Sequence, residues 1–361
     1  MRKPTREGVL AAAASIAELL PPTPLLPIEI GGVRCHVKAE SLQPIGAFKI
    51  RGGWWRLSNL DEAEKKRGVV AVSSGNHAQG VAWAARRLGI AATIVMPRNA
   101  PQVKLEATRA LGAEIVLYDR PGQDRDEVAA GIVSETGATL VHAFADAWVI
   151  EGQGSAGVEI AAQLGRAPSR LVACCGGGGL SAGLALACPD SAIHVIEPQG
   201  WDVVGQALEA GEVVRAVNPP VTICDALQPD ASAPVVLSVL QGRAQPGVVV
   251  TDEEVRAAQR FAFAKLNLVV EPGGAAAVVT RFHDSLVSVM KEADALGVTG
   301  RYRRLAPEIE RAFHLRLMAR VTSGSFWTRA DGARRDGLAA AFARLSIATY
   351  ASRFDGYSGQ E

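Results

Sequence analysis

Between residues 68 and 277, short runs rich in β-branched residues alternate with longer stretches of helical periodicity, and this alternation restricts the fold more than any other feature of the chain. The strand-like runs are Val69–Ser73, Ala92–Met96, Ala113–Tyr118, Leu140–Phe144, Leu171–Cys175, Ile193–Glu197, Gly247–Thr251 and Leu268–Glu271. Helical segments such as Pro101–Leu111, Asp124–Glu135, Glu151–Leu164 and Asp252–Lys265 lie between them. A strand that returns parallel to its predecessor needs a crossover of about a dozen residues, so this spacing predicts parallel sheets with helices on both faces. The chain has 361 residues, 48% of them hydrophobic and 21% charged, enough to bury two sizeable cores.

Three short motifs fall in the loops of such a pattern. The first is Ser41-Leu-Gln-Pro-Ile-Gly-Ala-Phe-Lys-Ile-Arg-Gly52, in which Lys49 stands among apolar neighbours flanked by glycines. Desolvation lowers a lysine's pKa and frees its amine to form a Schiff base with a carbonyl. A lysine beside Phe48 and Ile50 can equally well snorkel at a domain surface. The second, Ser73-Ser-Gly-Asn-His-Ala-Gln-Gly80, lies between a strand and a helix, where backbone N–H groups and the helix dipole converge on an anion such as a carboxylate. The third, Cys174-Cys-Gly-Gly-Gly-Gly-Leu-Ser-Ala-Gly183, again follows a strand. Four consecutive glycines carry a large entropic cost, which is explained if their N–H groups wrap a phosphate; the alternative is a solvent linker.

In order and spacing these motifs resemble those of the pyridoxal-phosphate enzymes of the tryptophan-synthase-β fold, and within that group the threonine/serine dehydratases and serine racemases. Thr23-Pro-Leu-Leu26, Val149-Ile-Glu-Gly-Gln-Gly154, Val195-Ile-Glu-Pro198 and Val269-Val-Glu-Pro-Gly-Gly274 extend the resemblance to about residues 5–280. It implies an α/β, two-domain parallel-sheet fold, with a large domain of about 1–46 and 145–280, a small domain of about 47–144, and pyridoxal 5'-phosphate in the cleft.

It also implies roles. Lys49 would carry the cofactor and act as general base on the substrate α-carbon; Ser74 matches the serine that is the opposite-face acid/base of the racemases. Phe48 would form a shelf under the ring, Asn76 would bond the ring hydroxyl, and Glu271 would sit near the cofactor. Gly176, Gly177, Gly178, Gly179 and Leu180 would cradle the phosphate. Ser73, Ser74, Gly75 and His77 would hold the substrate carboxylate, His77 chiefly by orienting the turn. The implied reaction is β-elimination of L-threonine or L-serine to a 2-keto acid and ammonia; the alternatives are serine racemisation, or a non-catalytic fusion protein.

The pattern departs from those relatives in three places. Their divalent-cation site is a glutamate with a following acidic pair; here Glu197 and Asp202 are present but Val203 replaces the second acid, so no metal site is expected. Asp225-Ala-Leu stands where many relatives have Asp-Gly-Leu. After Glu271-Pro-Gly-Gly the relatives continue to a strand and a Ser-Gly-Gly-Asn turn facing the ring nitrogen, and no such run occurs in residues 275–361. The dehydratase pattern thus reads as C-terminally truncated, with competence in question.

Composition changes at the same place. Residues 281–361 hold nine of the nineteen aromatics, with twelve arginines, one lysine and nine acids, a net +4 against −3 for residues 1–280. Three helical faces are expected: Phe282, Leu286, Val289, Met290, Ala293 and Leu296; Ile309, Phe313, Leu317 and Val321; Leu338, Phe342 and Leu345. Gly300-Arg-Tyr-Arg-Arg-Leu-Ala-Pro307 and the closing run from Ala348 to Gly359 resemble the N-terminal half of the periplasmic phospholipid-shuttling, toluene-tolerance family. The export signal and the later sheet of that family are absent, so lipid binding is not expected of this helical segment. The chain reads as two genes joined near residues 277–281.

Net charge is +1 overall, so nothing in the balance points to a polyanion, and no nucleic-acid partner is expected. Val9–Leu20 reads as an alanine-rich helix ended by Pro21-Pro22, with neither signal peptide nor membrane span. Five cysteines, mostly in apolar runs and without paired metal spacing, read as free thiols of a reducing compartment, the cytoplasm. The expected partner is a small amino-acid substrate, and a homodimer is left open.

Overall fold

The computed structural model describes residues 2–30, 33–119, 122–278, 293–312 and 315–353. It divides into two compact units, one of Met1–Pro27 with His36–Val278 and one of Ile28–Cys35 with Val279–Glu361.

The chain opens with α1 (Arg6–Ala17), whose N-terminus is capped by the Thr5 hydroxyl accepting from the Gly8 N–H at 3.0 Å. A two-stranded ribbon follows, β1 (Leu25–Ile30) and β2 (Val33–Lys38). The ribbon is not among the strand-like runs of the sequence. Its signal was the Gly31-Gly32 dipeptide between two short apolar runs, masked by Pro27 inside the first.

Two helices, α2 (Lys49–Ser58) and α3 (Glu62–Arg67), lead into the first parallel sheet. Its chain order is β3 (Val69–Val72), α4 (Asn76–Leu88), β4 (Ala92–Pro97), α5 (Gln102–Ala110), β5 (Glu114–Tyr118), α6 (Arg125–Thr136) and β6 (Thr139–Leu140). In space the strands run β5-β4-β3-β6, all parallel, with Ala71 opposite Ile94 and Ile94 opposite Ile115. The long helix α7 (Ala147–Leu164) crosses to a second parallel sheet of β7 (Arg170–Cys174), β8 (Ala192–Pro198) and β9 (Val248–Val250), in that spatial order. Between these strands lie α8 (Gly179–Ala187), α9 (Val203–Ala210) and α10 (Pro234–Leu240), and α11 (Asp252–Leu266) and α12, described over 272–278, follow. The expected parallel α/β architecture is what this unit adopts.

Two of the expected strands end early or do not form. Of 140–144 only the first residue is in a strand: after the Val141 N–H reaches the Val70 carbonyl at 2.8 Å, the His142 ring nitrogen Nδ1 accepts from the N–H groups of Phe144 and Ala145, which turns the chain into α7. Residues 268–271 make no ladder. Asn267, at φ +53°, closes α11, and the Val270 carbonyl accepts from the Gln259 side chain instead.

Each sheet has its own apolar core. Ile50, Leu57, Val81, Ile94 and Met96 fill the space beside the first, and Val9, Ile150, Ile193, Val195, Val236 and Leu240 the space beside the second. α2 is wedged between α4 and α7 at backbone contact. A Cβ on Gly80 of α4 would lie 2.7 Å from the Lys49 carbonyl oxygen, and one on Gly152 of α7 would lie 2.5 Å from that of Arg51. Only glycine permits this approach.

The described part of the second unit's C-terminal segment is helical, as expected: α13 (Ala293–Ala312), broken at Gly297 with φ +56°, α14 (Leu315–Ser323), α15 (Ser325–Arg329) and α16 (Gly332–Arg353). Leu305, Ile309, Leu315 and Ile347 form its core, with Leu296, Tyr302 and Phe342 against it. Leu345, expected on the same face as Phe342, is 67% exposed; Ile347 and Ala351 turn inward in its place. The Phe282–Met290 face, Phe313 and the junction near 277–281 beyond Val278 lie outside the described residues, as do the final residues from 354 onward.

Candidate active site

The first sheet's central strand delivers the first wall of the site. β3 ends at Val72, the chain turns through Ser73-Ser74-Gly75, and α4 begins at Asn76. The Ser73 hydroxyl accepts from the Gly75 N–H at 3.1 Å, which holds the turn and leaves the first N–H groups of α4 facing the space beyond the strand ends.

The second wall comes from the other sheet. β7 ends at Cys174, and the loop Cys175–Gly178 enters α8 at Gly179. Gly178 sits at φ +87°, and a side chain is excluded at 177, 178 and 179. A Cβ on Gly177 would lie 2.3 Å from the Phe144 ring, one on Gly178 2.6 Å from Val236, and one on Gly179 2.9 Å from Gln153 Oε1. What remains is a concave run of backbone at a helix N-terminus.

Lys49 closes the site as the first residue of α2. Its Nζ donates to the Ala143 carbonyl at 2.9 Å and lies 5.3 Å from the Phe48 ring centroid. Desolvation lowers the amine's pKa from 10.5 to about 8, against smaller opposing contributions from the nearby Cys174, Glu271 and Cys175. A substantial neutral fraction is therefore present near neutrality.

A cavity of about 420 Å³ lies between these walls, and Phe48, Lys49, Ser73, Ser74, Gly75, Asn76, His77, Gly176 to Gly179, Leu180 and Glu271 all line it. These residues come from four separate segments of the sequence. Asn76 Nδ2 donates to Glu271 Oε1 at 2.6 Å, so the two are partners of each other across the cavity. Burial raises the Glu271 carboxyl and the Asn76 bond moderates that rise.

His77 is almost fully buried; its Nε2 donates to the Val141 carbonyl at 2.8 Å, and its Nδ1 has no partner. Burial pushes its pKa down to about 3, so the ring is neutral and Nδ1 is an acceptor. Such an atom does not donate to a carboxylate, so the ring shapes the turn and only the backbone N–H of His77 is available to an anion. Glu197 does not line the cavity. Its buried carboxyl group accepts from the N–H groups of Val204 and Gly205 at 2.9 and 2.8 Å, and desolvation raises it to about 8. Val203 packs in the apolar core beside it.

Lys104, Arg125, His142, Phe144, Asp225 and Asp230 also line the cavity and were not foreseen as site residues. Lys104 pairs with Asp225, and Arg125 with Asp230. Only the Asp225-Ala-Leu run had drawn notice in the sequence, and it forms a single 3-10 turn over Asp225–Leu227.

The donor set fits pyridoxal 5'-phosphate: a glycine cradle closed to a Cβ at 177, 178 and 179, a desolvated amine free to condense with an aldehyde, and a flat aromatic neighbour. The profile of one protein family, pyridoxal-phosphate dependent enzyme, matches residues 16–286. The chain belongs to that family. Its cofactor is pyridoxal 5'-phosphate, and it is an enzyme of the ammonia-lyase type.

Within the family, an L-threo-3-hydroxyaspartate ammonia-lyase of Pseudomonas sp is 38% identical over 247 residues, 67% of this chain and 77% of the relative. A serine racemase of Schizosaccharomyces pombe is 35% identical over 279 residues, 75% of this chain and 86% of its own. Among solved structures, a threonine deaminase of T.th. superposes with a TM-score of 0.71 at 38% identity, covering 78% of this chain and 93% of that one. Maize serine racemase does so with 0.73 at 33%, covering 77% and 87%. A second family profile, MlaC protein, matches residues 280–361. Among the described residues no helix is long and apolar enough to cross a membrane, and no group of three His, Cys, Asp or Glu side chains is placed to hold a metal ion.

Proposed function

We propose that this enzyme eliminates water from L-serine or L-threonine to give an enamine, which tautomerises and is hydrolysed by a water molecule to the 2-keto acid and ammonia. The observation that carries the reading is the meeting, in one cavity, of a lysine amine lowered to about 8 with a glycine cradle and a serine-rich helix N-terminus. Its support from known proteins is the set of threonine deaminase, serine racemase and hydroxyaspartate ammonia-lyase relatives.

Bound in this cavity, pyridoxal 5'-phosphate supplies the electron sink that makes a substrate α-C–H acidic. The protein's own residues do the rest. The N–H groups of Gly176 to Leu180 and the N-terminus of α8 carry the phosphate charge without a basic side chain. The turn from Ser73 to His77, at the N-terminus of α4, takes the substrate carboxylate and so fixes which α-substituent faces Lys49. Lys49, neutral at Nζ, would accept the α-proton, and the ammonium so formed would hand a proton to the β-hydroxyl, which would then leave as water. Phe48 would shield one side of the group, and Asn76, held by Glu271, would bond its ring hydroxyl. Ser74 stands in the cavity as a second proton carrier, and that placement supports racemisation as the second reading.

The reading takes residues of about 1–46 and 145–280 as a large domain and 47–144 as a small one, with the enzyme working on free amino acids as a cytoplasmic homodimer. The thiols of Cys174, Cys175, Cys188 and Cys224, none in a disulfide, support the reducing compartment, and sedimentation of the purified protein reports the oligomer. The deciding experiment incubates the protein with pyridoxal 5'-phosphate and, in turn, L-serine, L-threonine and L-threo-3-hydroxyaspartate, and measures keto acid, ammonia and the chirality of recovered serine. Stoichiometric keto acid and ammonia from serine or threonine, lost in Lys49→Ala, is the expected result. D-serine without ammonia selects racemisation, and neither product from any substrate overturns both readings.

A further inference from the structure

Arg51 lies two residues past Lys49 and is completely buried, yet it touches nothing in the cavity. All five of its N–H donors are used. Nε and Nη2 donate to the two oxygens of Glu40 at 2.7 and 2.8 Å; Nη1 and Nη2 donate to the two oxygens of Glu159 at 2.6 and 2.8 Å; and Nη1 donates to the Ser155 hydroxyl at 3.0 Å. Glu159 also accepts from Lys38 at 2.6 Å, so two carboxylates face two cations and the cluster is electrically balanced. A buried network of this kind adds little net stability over apolar side chains of the same volume, because desolvation offsets the attraction. What a doubly bidentate fork adds is orientation.

The route of that orientation leads to the amine. Glu159 and Ser155 belong to α7, so the fork ties the first turn of α2 to α7 across more than one hundred residues of sequence. At the near end of α7 the segment 143–145 turns into its first residue, and the Ala143 carbonyl there is the acceptor of Lys49 Nζ. Gly152 of α7 and Gly80 of α4 hold the Arg51 and Lys49 carbonyls from opposite sides. The amine and its acceptor are thus mounted on two helices whose mutual register is keyed by one guanidinium.

We propose that Arg51 is a positioning residue that fixes the register of α2 on α7 and thereby aims Lys49 Nζ at the cofactor aldehyde and the substrate α-carbon. The inference rests on Lys49 being the cofactor lysine. The test measures borohydride-trapped pyridoxal 5'-phosphate at position 49 by peptide mass mapping, together with melting temperature, kcat and KM, for wild type, Arg51→Lys, Ser155→Ala and the distant core variant Val255→Ala. Arg51→Lys keeps the charge and loses the fork; its trapping rate is expected to fall at least tenfold and kcat with it, KM changing less than threefold. Ser155→Ala, which removes one of the five bonds, should lose two- to fivefold and guards against a first variant that fails to fold. Val255→Ala should lower the melting temperature with trapping unchanged. Trapping at the wild-type rate in folded Arg51→Lys or in Ser155→Ala, or an equal loss in Val255→Ala, overturns the positioning role. Absence of trapping in wild type overturns the assignment of Lys49 instead.

Discussion

The lowered Lys49 amine makes a quantitative forecast. An ordinary lysine at 10.5 is about 0.03% neutral at pH 7, whereas one at about 8 is about 9% neutral, roughly a 300-fold gain in the reactive form. The cause is desolvation in the cavity, equivalent to about 3 kcal/mol for charging the amine in the folded protein. Cofactor-free protein is mixed with pyridoxal 5'-phosphate at pH values from 6 to 10, aliquots are quenched into alkaline borohydride, and the initial rate of adduct formation at position 49 is plotted. The rate should climb about tenfold per pH unit up to about 7.5 and level off above about 8.5. The same shift acts on stability: the unfolded chain holds a proton between about 8 and 10.5 that the folded one has released, so this residue's penalty is full below about 8 and fades as pH rises through that window. A trapping rate that keeps rising through pH 10 would refute the argument, because the amine would then be solvated like any surface lysine.

Three further outcomes follow from the same geometry. Gly80→Ala brings a Cβ to within 2.7 Å of the Lys49 carbonyl oxygen and 2.9 Å of its carbon, backbone atoms that cannot rotate away; chemical denaturation should show a loss of about 1–3 kcal/mol and turnover a drop of about tenfold. Gly177→Ala drives the Phe144 ring out of contact with the phosphate cradle, and absorbance titration should give cofactor binding weaker by at least tenfold with the far-UV spectrum unchanged. Because His77 is held near 3 while the unfolded chain titrates near 6.5, the unfolded state gains a proton that the folded state refuses as pH falls between those values. Stability should therefore decline there by up to about 1.4 kcal/mol per pH unit from this residue, and urea denaturation of His77→Gln should show a flatter acid limb.

The residues that were legible beforehand share a property: each lies in a contiguous motif whose backbone does the work. Ser73 to His77 and Gly176 to Leu180 are strand-to-helix turns, and such turns announce themselves through glycine, serine and asparagine at the boundary of two periodicities. The parallel α/β pattern was readable for the same reason. Arg51 was printed inside the lysine motif, but its partners Glu40, Ser155 and Glu159 are scattered from 11 to 108 positions away, and no local pattern reports them. Lys104 with Asp225, and Arg125 with Asp230, meet only because helices from one sheet close over loops of the other. The strand expected at 268–271 failed because β-branched composition was outweighed by Asn267, whose left-handed backbone ends α11 and redirects the chain. Leu345 was misplaced by periodicity because a 22-residue helix with several small residues offers more than one apolar stripe.

The thiols bordering the lysine carry a practical consequence. Burial pushes Cys174 up to about 12 and Cys224 to about 11, and raises Cys175 well above the ordinary thiol range. Alkylating reagents and peroxides attack the thiolate, and at pH 8 only about one molecule in ten thousand carries it at Cys174. A maleimide label or a brief oxidative stress should leave the cofactor lysine's surroundings chemically untouched, and inactivation by such reagents would have to begin with unfolding rather than at the site itself.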